Sequence, residues 1–156
     1  MRRERLNAAQ RHVAVLAAVR AAHRQWSKGK SVSGQTRLSV KINNDWQARA
    51  VAIDKSIRAE VELPGVHRQR IDLVDTSAHV AYELKVSQNN VHMEFYRDIF
   101  KVLVYNQLSD SKSRIKTLYF LAPTAGIQAM GPMQNEAMRI AKKIGSLNVK
   151  CLGVDS

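Results

Sequence analysis

The sequence predicts an α/β protein built around one mixed β-sheet. Three strand-like segments follow one another through short turns, at 56–63, 68–75 and 80–87, as in an antiparallel meander. Two later strand-like segments, at 115–123 and 148–154, each follow a helical segment. Because strands joined through a helix pair in parallel, we expect these last two strands to pair in parallel at the centre of the sheet.

The strand assignments follow from composition and alternation. The first segment, "SIRAEVEL", alternates charged and apolar residues and ends at a Pro64–Gly65 turn. The second, "RQRIDLVD", is separated from the third, "VAYELKVS", by the polar turn "TSAH". The fourth, "IKTLYFLAP", is a continuous apolar run, which is typical of a strand covered on both faces.

Helical patterns account for most of the remaining chain. Apolar spacing or terminal signals indicate helices at 4–26, 43–55, 91–108 and 131–147. Asn43 or Asn44 is the expected N-cap of the second helix, and "RLSVKI" before it is a short strand or a lead-in. The third helix is expected to pack inward through Phe95, Tyr96, Ile99, Phe100 and Leu103.

The chain is strongly basic. At 156 residues it has the length of one domain, with 25 Lys+Arg against 13 Asp+Glu and a net charge of +12. This charge favours a polyanionic partner, either nucleic acid or an anionic membrane surface. Residues 1–30 hold eight Lys/Arg and one acid, and a polar Gly/Ser break follows at 27–36. We therefore expect a basic N-terminal helix at 1–30, acting as an arm or a packing helix, and an α/β domain at 37–156.

Composition disfavours several other classes of protein. Cys151 is the single cysteine, so we expect a buried thiol in a reducing, cytoplasmic compartment rather than a disulfide. No apolar run approaches the roughly 18–20 residues of a membrane span, and we expect no membrane insertion. The five histidines show no paired metal-ligand spacing, which argues against zinc.

Two strand segments carry charges where a buried strand has apolar residues: Asp72, then Glu83 and Lys85. Side chains alternate along a strand, so Glu83 and Lys85 share a face, and Asp72 points away from Ile71 and Leu73. If the two strands pair through the short turn between them, Asp72 and Glu83 meet on one face. Neighbouring carboxylates repel unless a cation lies between them, and oxygen ligands suit Mg²⁺ or Mn²⁺. With Lys85 beside a metal-bound water, the set matches a phosphodiester-hydrolysing site.

The chain resembles the PD-(D/E)XK nuclease superfamily, which has the restriction-endonuclease-like fold. The resemblance is carried by Asp72 in "RIDLV", ten intervening residues and then "ELK", inside a predicted αβββαβ core at about 43–122. It implies that Asp72 and Glu83 bind Mg²⁺, that the backbone carbonyl of Leu84 assists, and that Lys85 orients the attacking water.

The same resemblance suggests a third acid. Many family members add one from the helix before the meander, for which Asp45 is the candidate, while Glu60 on the first strand competes with it. Ile71 stands where the family pattern has Pro, a common departure.

The pattern of residues is less informative than its context. The string "DSK" at 110–112 also fits [DE]-x-K, but it lies in a polar turn, whereas "YELK" lies inside a strand beside another acid-bearing strand. The structural alternative is that Glu83 and Lys85 line a solvated sheet face, with Asp72 paired to Arg70 or Lys85.

Other polar residues are candidates around this site. Arg68 and Arg70, on the strand that carries Asp72, are expected phosphate contacts. Gln107 either faces the sheet edge near the metal or marks the polar end of a helix. His67 and His79 either approach the site from the two turns or are surface residues.

These observations predict a Mg²⁺-dependent DNA endonuclease, of the restriction or defence type or of the junction or repair type. We expect a homodimer, because cutting both strands of a duplex needs two sites, and an additional protein subunit could supply specificity. One alternative is a catalytically silent nucleic-acid-binding or assembly module on the same fold. Another is a basic membrane-surface adaptor, which would leave the strand acids unexplained.

Overall fold

The computed structural model describes residues 5–27 and 35–155. In chain order its elements are α1 (Ala8–Ser27), α2 (Gln35–Val51), β1 (Ile57–Leu63), β2 (Val66–Asp75), β3 (Val80–Leu84), α3 (Val91–Leu108), β4 (Thr117–Ala122), α4 (Thr124–Gln128), α5 (Met133–Gly145) and β5 (Asn148–Gly153). The predicted α/β fold with a mixed sheet is confirmed.

The strands lie in the order β1-β2-β3-β4-β5. β1, β2 and β3 form the antiparallel meander, while β3 pairs with β4 and β4 with β5 in parallel. The parallel pairing of the last two strands is therefore confirmed, but their central position is wrong. α3 returns the chain beside β3, so β3 occupies the centre and β5 lies at an edge.

The sheet separates two hydrophobic cores. On one face, α1 and α2 pack against the strands through the buried residues Val15, Val19, Ile42, Trp46, Leu73, Tyr82 and Leu121. On the other face, α3 and α5 pack through Phe95, Val102, Ala141, Ile71, Ala81, Leu118 and Phe120. Along β4, Leu118 and Phe120 join one core and Leu121 joins the other, as expected for a strand covered on both faces.

α1 is fixed to the sheet by a buried ion pair as well as by apolar contacts. Arg11 Nε lies 2.7 Å from Asp75 Oδ2, and Arg11 Nη2 donates to Ser77 Oγ at 2.6 Å. Arg11 is 5% exposed and Asp75 2%. Burial opposes the ionised form of Asp75, but Arg11, the Ala78 N–H and the Ser77 hydroxyl outweigh it and hold the pKa of Asp75 below its usual value. The contacts of residues 8–27 thus favour the packing helix over the free arm.

Two predicted boundaries and one predicted N-cap need correction. α2 begins at Gln35, so "RLSVKI" is helical, and Asn43 and Asn44 lie inside the helix rather than at its N-cap. The reason is tertiary: Ile42, Trp46 and Ala50 form a buried stripe at intervals of four residues, which overrides the local cap signal. β3 ends at Leu84 rather than at residue 87. Of the predicted linker, residues 28–34 lie outside the described residues.

Two side chains that the sequence predicts to be buried, Phe100 and Cys151, are more exposed than expected. Phe100 is 69% exposed, whereas Phe95 and Ile99 are buried, so the inward stripe of α3 is narrower than predicted. Cys151 is partly buried, and burial raises the pKa of its thiol to about 11. Among residues 5–27 and 35–155, no helix is both long enough and apolar enough to cross a membrane.

We predict that Arg11→Ala lowers the free energy of unfolding by about 3–5 kcal/mol, because Asp75 would be left buried without its cation. Arg24→Ala, at an exposed position of the same helix, is the matched control and should change stability by less than about 0.5 kcal/mol. Denaturant unfolding at pH 7 measures both.

The loss of unfolding free energy in Arg11→Ala should also depend on pH. The folded-state pKa of Asp75 lies below its usual value of 3.8, so its stabilising contribution is present above pH 3.8 and is lost as the pH falls through the folded value. The gap between wild type and Arg11→Ala should narrow in that acidic range. A gap that is small at pH 7, or independent of pH, would contradict the assigned role of the pair.

Candidate functional site

A polar cleft of about 610 Å³ opens where the meander meets α3. Its wall combines residues of α2, β1, β2, β3 and α3: Asn43, Glu60, Arg68, Gln69, Arg70, Asp72, Glu83, Leu84, Glu94, Arg97, Asp98 and Lys101. Within this wall, Asp72 is partly buried and Glu83 is buried, whereas the arginines of β2 and α3 are exposed. Most of the site residues predicted from the sequence line this cleft.

Asp72 and Glu83 come together as the sequence predicted. The antiparallel register places Leu73 opposite Tyr82, so the preceding residue, Asp72, faces Glu83 across β2 and β3. The Leu84 N–H donates to Asp72 Oδ2 at 2.9 Å. The two carboxylates are therefore neighbours at the wall of the cleft, and the backbone of β3 fixes the orientation of Asp72.

The alternation along β2 is broken at Asp72. Leu73 belongs to the α1–α2 core, as expected for a side chain opposite in direction to Asp72, but Ile71 belongs to the α3–α5 core. On the adjacent strand, Glu60 has a left-handed backbone with φ of 52°. The prediction that Ile71 and Leu73 share a face is wrong because both strands lose their alternation at this point: on β1, Ala59 packs against the α1–α2 core and Val61 against the α3–α5 core.

α3 supplies an amine and an acid that the sequence analysis missed. Lys101 Nζ lies 2.7 Å from Glu83 Oε1 and 3.1 Å from Asp98 Oδ1. Glu83 and Asp98 are only 2% and 3% exposed, and Lys101 is 8% exposed. A signal was present in the spacing: Glu94, Asp98 and Lys101 follow one another at intervals of four and three residues, which places them on one face of a helix.

The electrostatics of this group are dominated by desolvation. Burial raises the pKa of Glu83 well above its usual value, and the charges of Asp72 and Asp98 raise it further against the opposing effect of Lys101. Burial likewise raises the pKa of Asp98 to about 6 although Lys101 lowers it. Burial raises the pKa of Asp72 despite the Leu84 N–H and Lys101. Three acids thus share one buried amine, and the group carries excess negative charge when all are ionised.

The Lys101 ammonium is the partner of two buried carboxylate oxygens, Glu83 Oε1 and Asp98 Oδ1. One ammonium cannot neutralise three carboxylates, so the ionised group has an excess of negative charge. This excess favours either protonation, in line with the raised pKa values, or an additional cation.

The donor set fits Mg²⁺ or Mn²⁺ better than other metals. It consists of oxygen atoms, which these ions prefer. No group of three or more His, Cys, Asp or Glu side chains in residues 5–27 and 35–155 is arranged to hold a metal ion. Mg²⁺ is commonly bound through one or two carboxylates and retains several waters, and the facing Asp72–Glu83 pair is a donor set of that kind.

Lys85 lies beside the cleft rather than in its wall. It follows the last residue of β3, and its N–H donates to the Leu121 carbonyl at 2.8 Å. The residue lines a smaller hollow of about 180 Å³, which shares Asn43 and Leu84 with the main cleft. The sequence analysis places the Lys85 ammonium beside a metal-bound water on the face of Glu83, which stays a prediction, and in the structure the amine in contact with Glu83 is that of Lys101.

The two candidate third acids are placed differently. Glu60 lines the cleft and accepts a hydrogen bond from Gln47 Nε2 at 2.6 Å. Asp45 instead pairs with Arg49, whose Nε lies 2.9 Å from Asp45 Oδ1, and it lies away from the cleft wall. Asp98, which the sequence analysis did not select, is a buried third acid of the site.

The remaining candidates are also resolved by position. Arg68 and Arg70 line the cleft and are exposed, and Arg70 Nη2 lies 2.9 Å from Glu62 Oε1, so the alternative pairing of Arg70 with Asp72 is not formed. Gln107 is exposed and lines a separate hollow near the C-terminal end of α3. Its position favours the alternative that it marks the polar end of a helix, because the residues of α3 that line the cleft run from Glu94 to Lys101.

We predict opposite effects from the same substitution at two positions of β2. Asp72→Asn should raise the free energy of unfolding by about 1 kcal/mol at pH 8 in EDTA, since it relieves repulsion while an amide oxygen can still accept from Leu84. Asp75→Asn should lower it by about 3 kcal/mol or more, because it leaves Arg11 buried without its acid. Denaturant unfolding distinguishes the two, and a destabilised Asp72→Asn protein would show that Asp72 is a structural rather than a strained acid.

Comparison of the chain with protein-family models, with curated proteins and with solved structures found no match.

Proposed function

We propose that this protein is a Mg²⁺-dependent DNA endonuclease that hydrolyses phosphodiester bonds in the cleft. The observation that carries the proposal is the Asp72–Glu83 pair, two facing carboxylates with raised pKa values at the wall of a cleft bordered by arginines. The succession α2–β1–β2–β3–α3–β4 supports the resemblance to the αβββαβ core of the PD-(D/E)XK superfamily, which was inferred from the sequence.

The roles of the chain's own residues follow from their positions. Asp72 and Glu83 would hold Mg²⁺ or Mn²⁺, and the Leu84 N–H keeps Asp72 oriented. When bound, the divalent ion supplies a Lewis acid and a water of lowered pKa. Arg68, Arg70 and Arg97 are positioned to contact phosphates of the substrate backbone.

DNA is the partner that the charge of the chain favours. A net charge of +12 attracts polyanions over a long range, and the arginines of the cleft bring part of that charge to the carboxylates. Cutting a duplex with one such site per chain calls for a homodimer, and an additional subunit could set specificity. The cytoplasmic location expected from the single cysteine stays a prediction.

One observation favours a second candidate, a catalytically silent nucleic-acid-binding module. The Lys101 ammonium already lies 2.7 Å from Glu83, where it compensates part of the negative charge that a metal would otherwise neutralise. In such a module the acids would be structural, and DNA would bind without cleavage.

We predict that the purified protein cleaves DNA in Mg²⁺ or Mn²⁺ and not in EDTA. Supercoiled, linear, single-stranded and branched DNA should be compared, because all four carry the phosphodiester backbone on which the proposed site acts. Asp72→Asn and Glu83→Gln should each reduce cleavage by about 10²-fold or more, since each removes a charged ligand. Divalent-ion-independent DNA binding without cleavage on any of the four substrates would favour the silent module.

A further prediction separates binding from chemistry at Lys85. The proposed function keeps Lys85 as the ammonium that acts on the attacking water from the adjoining hollow. Lys85→Met should then reduce cleavage by about 10²-fold and leave DNA affinity nearly unchanged. Arg68→Met is the contrasting variant, expected to weaken DNA binding and its salt dependence. Equal loss of affinity and cleavage in Lys85→Met would make Lys85 a phosphate contact.

A further inference from the structure

Lys101 lies in an unusual position for a lysine. Its ammonium is enclosed between Glu83 of the sheet and Asp98 of its own helix, at 2.7 Å and 3.1 Å, and its side chain is 9% exposed. Lysine is rarely buried unless its charge is matched by nearby acids. The two carboxylates match it here, and they hold the pKa of Lys101 above its usual value although burial opposes this.

The same ammonium stands where it interferes with a metal ion. A Mg²⁺ ion bound by Glu83 would lie about 2.1 Å from a carboxylate oxygen, whereas Lys101 Nζ lies 2.7 Å from Glu83 Oε1. Two cations held on one carboxylate repel each other strongly in a buried site, where screening by solvent is weak. The ammonium and the divalent ion therefore compete for Glu83.

Asp98 offers the ammonium an alternative position. It lies three residues before Lys101 on α3, so the lysine side chain can keep this contact while it leaves Glu83. The four-carbon stem of lysine has the freedom for such a change of partner. The helix therefore carries both the competing cation and the acid that can retain it.

We propose that Lys101 is an internal counter-ion that regulates the site: it contacts both Glu83 and Asp98 in this structure, and it must release Glu83 while it keeps Asp98 before a divalent cation binds. The proposal rests on the proposed function, since it takes the Asp72–Glu83 pair as the binding site for Mg²⁺ or Mn²⁺. The role of Lys101 differs from that of Lys85, because the ion pairs with Glu83 and Asp98 are both formed by Lys101. The metal affinity of the protein then depends on the free energy needed to displace Lys101 from Glu83.

The test is a calorimetric titration of wild type, Lys101→Met and Lys143→Met with Mg²⁺ and with Mn²⁺ at pH 8. Methionine keeps an unbranched side chain of similar length and removes the charge. Lys101→Met should bind either ion more tightly than wild type by about tenfold or more, the size of effect that one neighbouring charge commonly has on an ionisable group. Lys143→Met removes the same charge at an exposed position of α5 outside the cleft lining and should leave the affinity unchanged. Equal or weaker binding by Lys101→Met would overturn the proposal.

Thermal unfolding provides an independent measurement if Lys101→Met is poorly stable without metal. A cation that binds only the folded state raises its stability in proportion to affinity, so Mg²⁺ should raise the Tm of Lys101→Met more than that of wild type. Lys101→Arg keeps a charge near Glu83 and should resemble wild type in this respect. An equal Mg²⁺-induced shift of Tm in all three proteins would contradict the proposal.

The outcomes also separate this inference from the proposed function. If wild type binds Mg²⁺ and cleaves DNA while Lys101→Met shows unchanged affinity, the internal counter-ion is wrong and the nuclease stands. If neither wild type nor Lys101→Met binds Mg²⁺ or Mn²⁺, the carboxylate pair is not a cation site, and both the nuclease and the counter-ion are wrong.

Discussion

The two carboxylates that face each other across β2 and β3 constrain the whole cleft. Asp72 and Glu83 are brought together by an antiparallel register that the apolar residues on both sides also require, so their repulsion cannot be relieved by moving a strand. Burial also disfavours the ionised form of each acid, and the pKa of each is therefore raised. A cation near the pair relieves this repulsion, and in the structure Lys101 provides one.

The contrast between two aspartates of β2 shows how environment decides the role of an acid. Asp75 is also buried, but Arg11, a serine hydroxyl and backbone N–H groups bring its pKa below the usual value. It joins α1 to the sheet and stabilises the fold. Asp72, three residues earlier, has a raised pKa and lines an open cleft. Electrostatic repulsion of this kind persists only where the surrounding structure maintains it, and the strands that carry Asp72 and Glu83 contribute residues to both hydrophobic cores.

The sequence was sufficient for features that depend on short-range periodicity. Alternation and short turns located the meander and brought Asp72 and Glu83 to one face, because the register of a hairpin is determined locally. It was insufficient where packing between distant segments decides the outcome. Lys101 and Asp98 reach the carboxylates only because α3 docks across the sheet, and the start of α2 is set by contacts of Ile42 and Trp46 rather than by its cap signal.

The central claim is that Asp72 and Glu83 form a cation site from which Lys101 is displaced. The most direct measurement is a crystal structure of the protein soaked in Mn²⁺, with anomalous scattering used to locate the ion. The account predicts a peak about 2.1 Å from oxygens of both Asp72 and Glu83, with Lys101 Nζ released from Glu83 and still in contact with Asp98. A structure in which Lys101 still contacts Glu83, with no Mn²⁺ at the pair or with Mn²⁺ elsewhere, would contradict it.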